Sequence, residues 1–134
     1  MSLEVAAADV SDRVEAETGY SFDITMILGI FQVLMNLLQG CKKPIPPAPV
    51  PNPTTPQQKA WEAKCRANDA YDAGNADYSR PVLHRAATAM KHAKKKDGTP
   101  ISRQEALALA RATLDHARET DFDTLTEEVS QVSA

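Results

Sequence analysis

The residues of this chain that could do chemistry are three histidines and two cysteines. They are His84, His92, His116, Cys41 and Cys65. None of them shares with another the short, regular spacing that protein metal sites use. A Cys65–His84 pair would need a third orienting group and an oxyanion feature to act as a nucleophile, and the sequence offers neither. We therefore predict a protein that is not an enzyme and that uses no metal or other cofactor.

A basic stretch at residues 80–96 is the clearest charge signal. It contains six lysines and arginines, two histidines and no acid. A helix of this kind could contact the phosphates of a nucleic-acid backbone. The residues that would make such contacts are Arg85, Lys91, Lys94, Lys95 and Lys96. Because the stretch has no aromatic residue for base stacking, base recognition is not expected. A solvated face, or one paired with acids of a neighbouring copy, is the interpretation that we prefer.

The distribution of charge along the chain is more informative than the net charge of −3. Residues 1–43 carry six acids and three bases, residues 44–101 five acids and nine bases, and residues 102–134 seven acids and three bases. An acidic–basic–acidic order lets the chain neutralise its own middle or pair with copies of itself.

The elements that must position these residues are predicted to be helices, and the most unusual one contains residues 24–38. Its small and polar residues recur at spacings of four and three, so they form one narrow stripe on a helix. A helix that is apolar around most of its circumference belongs inside a larger body. We expect a continuous helix over residues 22–40 that other chains cover. The interface residues would be Ile24, Ile27, Leu28, Ile30, Phe31, Leu34, Met35 and Leu38.

A membrane span is the main alternative for this apolar run. Fifteen helical residues rise about 23 Å, whereas the hydrocarbon core of a bilayer is roughly 30 Å thick. Extension to residues 22–41 reaches that length but includes Asp23 and several polar residues. Acids before the run and Lys42 and Lys43 after it would place the C-terminus in the cytoplasm.

The rest of the chain divides at a proline-rich segment. Seven of the nine prolines lie in residues 44–56, which predicts an extended polyproline-type linker. Before it, periodicity predicts an amphipathic helix at residues 3–18. After it, a helix start at Thr55 and Pro56, a start at Ser79, and a capping box at residues 102–105 predict three further helices.

The predicted apolar faces of these C-terminal helices are rich in alanine. The face of the first contains Ala60, Ala63, Ala67 and Ala70. The face of the second contains Leu83, Ala86, Ala87, Met90 and Ala93, and that of the third Leu107, Ala110, Leu114 and Ala117. The tail from Asp121 is acidic and polar, with Phe122, Leu125, Val129 and Val132 as anchors.

These patterns predict an all-α protein with an N-terminal amphipathic helix, a long apolar helix, an extended linker and a small three-helix unit. The expected segments are an assembly or anchoring segment (1–43), the linker (44–56), a helical domain (57–120) and an acidic polar tail (121–134). The first 23 residues contain Arg13 as their only base, which is unlike a secretory signal.

The function that we expect is structural. The chain would be one of many copies in a large assembly, most naturally a minor capsid, internal or tail-associated component of a virion. Its partners would be copies of itself and other subunits, in a virion or the cytoplasm. The alternatives are a single-span membrane protein, such as a small lysis factor or an accessory subunit of a membrane complex, and a nucleic-acid packaging protein that uses the basic stretch.

Overall fold

The computed structural model describes residues 3–19, 45–73, 78–89 and 97–133. Five helices lie in these ranges: α1 Leu3–Thr18, α2 Thr55–Ala73, α3 Arg80–Ala89, α4 Arg103–Glu119 and α5 Phe122–Ser133. The described ranges contain no strand, so the predicted all-α class is confirmed. None of the five helices combines the length and the apolarity that crossing a bilayer requires.

Helix α4 lies at the centre of the fold. It packs against α1, α2 and α3, while α2 also packs against α5. The predicted face of α4 is buried at Ala110, Leu114 and Ala117, but Leu107 is only partly buried. Leu109, outside the predicted stripe, is fully buried. A single-stripe prediction fails here because neighbouring helices enclose α4 on more than one side.

The core is built mainly from alanine. Thirteen of the 21 buried hydrophobic residues among those described are alanines. The predicted stripe of α2 is confirmed, with Ala60, Ala63 and Ala67 fully buried and Ala70 nearly so. Small side chains let helices approach closely, but each buries little apolar area. The fold therefore depends more than most on its polar contacts to position the helices.

Helices α1 and α5 both contribute to this core. Val10 and Val14 of α1 and Leu125 and Val129 of α5 belong to one buried cluster together with residues of α2 and α4. The segment expected to be an acidic polar tail with apolar anchors forms helix α5, and the predicted anchors Leu125 and Val129 are buried. Asp121 begins it by accepting hydrogen bonds from the backbone N–H and the hydroxyl of Thr124, both at 2.8 Å. Within the described residues, the packing does not separate α1 or α5 from the predicted domain.

Capping residues set where two of the helices begin. At α2 the Thr54 side chain accepts from the N–H of Gln57 at 3.3 Å, and the Gln57 side chain accepts from the N–H of Thr54 at 2.8 Å. This capping box starts the helix one residue before the expected cap at Thr55. At α4 the predicted capping box of Ser102 and Glu105 is confirmed, with both reciprocal bonds present.

The proline-rich segment is non-helical over residues 45–54, but it is not straight. The backbone bends at residues 49–52, and Asn52 has a φ of 50°. The indole N–H of Trp61 donates to the carbonyl of Pro46 at 2.8 Å. The chain therefore turns back onto α2 at this point. Whether the segment serves as a linker remains a prediction.

Several predicted features lie outside the described residues. They are the apolar helix at residues 22–40, its eight interface residues (Ile24, Ile27, Leu28, Ile30, Phe31, Leu34, Met35 and Leu38), and Lys91, Lys94, Lys95 and Lys96 of the basic stretch. Of the expected phosphate contacts, Arg85 is described, and it is exposed on α3.

Candidate functional site

A buried histidine between two carboxylates is the most unusual polar feature of the described residues. The side chain of His116, in the last turn of α4, is 6% exposed. Its Nδ1 lies 2.7 Å from a carboxylate oxygen of Asp9 in α1. Its Nε2 lies 2.7 Å and 2.9 Å from the two carboxylate oxygens of Glu128 in α5. One imidazole ring thus joins three helices.

The local fold explains why these groups meet. Helix α5 begins three residues after α4 ends and packs mainly against α2, and in this position Glu128 lies beside His116. Asp9 precedes Val10, whose burial against the core turns this part of α1 toward α4. Asp9 lies 107 residues and Glu128 12 residues from His116 in the sequence. No spacing rule connects them, which is why sequence reasoning missed the site.

The electrostatics of the cluster favour a charged imidazole. Burial by itself lowers the pKa of His116, but hydrogen bonds to Glu128 and Asp9 outweigh burial and raise it above 6.5. Burial likewise acts to raise the pKa of Asp9, and bonds from His116 and Arg13 reverse the effect, so that pKa is lowered. Arg13 Nε donates to Asp9 at 3.0 Å, and Arg13 Nη2 donates to Glu119 at 2.6 Å. The result is a chain of alternating charges across α1, α4 and α5.

The chemistry of this cluster is that of a clamp between helices. Both ring nitrogens of His116 already bond to carboxylates, so the ring offers neither a free base nor a free ligand atom. The described part of the chain contains no group of three His, Cys, Asp or Glu side chains arranged to hold a metal ion. The carboxylate of Glu128, whose side chain is 2% exposed, gains in His116 the partner that a buried charge requires.

A second polar cluster closes the C-terminal end of α4. The ammonium group of Lys64, on α2, donates to the carbonyls of Ala117 at 3.2 Å and Arg118 at 2.9 Å, and also to that of Thr120. These carbonyls belong to the helix end, where backbone acceptors lack helical partners and the dipole favours a cation. Partial burial lowers the pKa of Lys64. Lys64 therefore caps α4 and ties α2 to it.

Replacing Lys64 by methionine is expected to lower the free energy of unfolding by about 1–2 kcal/mol, because the carbonyls lose a charged donor while the apolar stem is kept. Urea unfolding followed by circular dichroism measures the change. Lys59→Met, on the same helix, is the control. Equal stability of the two variants would contradict the capping role.

A third cluster connects residues 78–79 to α4. The Tyr78 hydroxyl bonds to the carboxylate of Asp115 and accepts from Arg118 Nε at 3.2 Å. The Arg118 guanidinium lies 3.9 Å above the centre of the Tyr71 ring. Burial, followed by the bond to Asp115, raises the pKa of Tyr78. These contacts hold the end of α2 and the start of α3 against α4.

The residues singled out by chemistry in the sequence do not form a joint site where the structure describes them. Burial raises the pKa of the Cys65 thiol, which is the opposite of what an activated nucleophile needs. His84 is exposed, and its Nδ1 lies 2.7 Å from the guanidinium of Arg103. Arg85 is exposed beside it on α3. Of the two histidines that the structure describes, His116 is the buried one, and it was assigned no role from the sequence.

No protein-family model matches this chain. No curated protein matches it, and no solved structure matches its fold. The function proposed below is therefore argued from the residues of this chain.

Proposed function

We propose that this chain is a non-enzymatic structural protein that works as one of many copies in a large assembly. The observation that carries the proposal is the contrast between a strongly apolar run at residues 24–38 and a helical body with little apolar surface of its own. In this proposal the run binds copies of the chain or other subunits. A virus particle is the setting we favour, because it is built from many copies of short chains.

The packing of the described helices supports this division of roles. Among the described residues, Val5 is the exposed large hydrophobic side chain, at 47%. The other large apolar residues of α1–α5 whose exposure the structure describes are buried or half-buried in an alanine-rich core. Such a core has little apolar area with which to cover another long apolar helix. In the proposal, other chains therefore cover the apolar run at residues 24–38.

The charge contacts support the same conclusion. Arg13 pairs with Glu119 at 2.6 Å, and Arg111 pairs with Glu17 at 2.9 Å, within one chain. Glu17 of α1 and Glu119 of α4 therefore bind bases of their own chain, whereas the basic stretch at residues 80–96 of another copy was the alternative partner for such acids. Exposed pairs of this kind each contribute about 0–1 kcal/mol. In the proposal, charge pairs organise the single chain and the apolar run provides assembly.

The variant Phe31→Asp tests the proposal. Placing a carboxylate in a buried apolar interface costs several kcal/mol, so we expect sedimentation velocity to show loss of the assembly. Circular dichroism should show that the helical body is retained. Gln32→Asp is the matched control, because it adds the same charge one residue away, in the polar stripe. Indistinguishable assembly of the wild-type protein and both variants would contradict the proposal.

The same proteins distinguish the two alternative functions, a membrane-spanning protein and a nucleic-acid packaging protein. A chain that needs detergent to stay dispersed and floats with lipid vesicles would indicate the membrane-spanning alternative. A chain that binds nucleic acid in a salt-sensitive way, and loses binding when Lys94, Lys95 and Lys96 are neutralised together, would indicate the packaging alternative. Either result, with assembly unaffected by Phe31→Asp, would replace the proposed function.

A further inference from the structure

We propose that α1 is a releasable helix and that His116 is the proton switch that holds it. In this mechanism, loss of one proton from the imidazolium breaks its contact with Asp9 while its contact with Glu128 persists. The inference rests on three features: the position of α1 at one side of the fold, the unequal exposure of the two carboxylates, and the network of charges around the ring.

Helix α1 lies at one side of the described fold, away from α3. It packs mainly against α4 and to a smaller extent against α5, whereas α2 packs against both α4 and α5. Its buried side chains are short: Ala6, Ala7, Val10 and Val14. Removal of α1 would therefore leave most of the packing of α2–α5 in place. A contact that holds α1 can be lost without loss of the whole fold.

The two carboxylates that flank His116 are not equivalent. The Glu128 side chain is 2% exposed, while the Asp9 side chain is 39% exposed. A neutral imidazole has a single N–H and can donate to one carboxylate only. Glu128 cannot exchange its partner for water, so the remaining proton stays on Nε2. Nδ1 then presents a lone pair to the Asp9 carboxylate, and this contact becomes repulsive.

The charges around this ring determine what remains after deprotonation. From α1, Arg13 bonds to Asp9 and to Glu119, so Asp9 keeps a cationic partner when it leaves the ring. From α2, the ammonium of Lys64 lies at the carbonyls of the adjacent helix end. The hydroxyl of Thr120 lies 3.3 Å from Nδ1 and can donate to its lone pair. The surroundings can therefore accept a neutral His116 without Asp9.

The direction of the pH effect follows from the bonds to His116. Its pKa in the folded chain is above 6.5 because of its bonds to Glu128 and Asp9, so the stability that the charged ring gains from both carboxylates is fully present below about 6.5. That contribution is lost as the pH rises through the folded pKa. We therefore expect α1 to be released at pH values above the pKa of His116.

Release would have a consequence for assembly, a step that rests on the proposed function. Helix α1 ends at Thr18, followed by Gly19 with a φ of 77°. The apolar run begins five residues later in the sequence. In the sequence the apolar run is joined to α1 on one side and, through the proline-rich segment, to α2 on the other, so release of α1 changes one of its two covalent connections. Assembly would then depend on pH over the range in which His116 titrates.

Amide hydrogen exchange of the full-length chain, corrected for the intrinsic rate of each amide at each pH, tests the switch. NMR of the imidazole gives the pKa of His116 in parallel. We expect the protection of α1 to fall as His116 loses its proton. The fall should be about tenfold for each unit by which the pKa of His116 in the closed state exceeds its pKa in the released state. Protection of α2 and α4 should fall much less, and protection of α5, which keeps the hydrogen bond from Nε2 to Glu128, should fall less than that of α1.

Two variants make this test specific. Asp9→Asn removes the negative charge that the imidazolium binds. The amides of α1 should then be less protected at low pH, and their protection should no longer fall as His116 loses its proton. Asp12→Asn removes an exposed acid from the same helix, and in this variant the protection of α1 should still fall as His116 loses its proton. Equal loss of protection in α1 and α5, or titration of His116 without a change in α1, would overturn the switch. If α1 is released as expected but light scattering shows the same particle size across the titration, the pH dependence of assembly would be refuted and the release of α1 would stand.

Discussion

Replacing His116 by alanine is expected to destabilise the fold by about 3–5 kcal/mol. The change removes the imidazolium and leaves the Glu128 carboxylate buried without it. Domains of this size have total stabilities of about 5–15 kcal/mol, so the loss is a large share of the whole. Urea unfolding at neutral pH measures it. His84→Ala, at an exposed position of α3, is the control and should change stability by about 0.5 kcal/mol or less.

A double variant distinguishes charge from packing at this position. Leucine at both 116 and 128 removes the buried charge together with its partner. Such a replacement of a whole buried pair is neutral or stabilising by about 1–4 kcal/mol, whereas removal of one partner costs about 3–5 kcal/mol. We expect His116→Leu combined with Glu128→Leu to be more stable than His116→Leu alone. Equal stability of the two would show that ring packing, and not the buried carboxylate, determines the effect of His116→Ala.

Replacing Leu109 by alanine is expected to cost about 4–5 kcal/mol, near the upper end of the usual range for such a change. Leu109 is fully buried, and half of its 16-residue core cluster is alanine. Alanine has no side-chain rotamers with which to move into a cavity, so the void should persist. Leu107→Ala, at a partly buried position on the same helix, should cost less than half as much.

Calorimetry and urea unfolding of the two leucine variants measure this difference. Similar losses at Leu107 and Leu109 would mean that the core around α4 relaxes, and that its alanines do not prevent the void from closing. Xenon or benzene binding to the Leu109→Ala protein would be a direct sign that a cavity remains.

The alanine-rich core and the buried charge cluster complement each other. Alanine faces pack closely but are nearly uniform, so they define the register of one helix on another only weakly. The hydrogen bonds of His116 to Asp9 and Glu128 have one geometry. The cluster therefore selects the positions of α1 and α5 on α4, which is the role in which buried polar groups are best attested.

The sequence by itself determined the parts of the fold that depend on near neighbours. The helix at Leu3–Thr18, the alanine face of α2 and the capping box at the start of α4 all follow from contacts within about four residues. Such contacts keep the same geometry in any helix, so spacing alone predicts them. The predicted interface of residues 24–38 and the lysines at 91–96 lie outside the described residues and stay predictions.

Only the tertiary structure decided how these helices combine. It placed α1 and α5 in one core, buried Leu109 on a second side of α4, and brought Asp9 and Glu128 to His116. Each of these outcomes depends on which helix faces which, a choice made by the summed packing of the whole chain. A histidine in the last turn of a helix is unremarkable in a sequence; two carboxylates from other helices make this one a charged clamp.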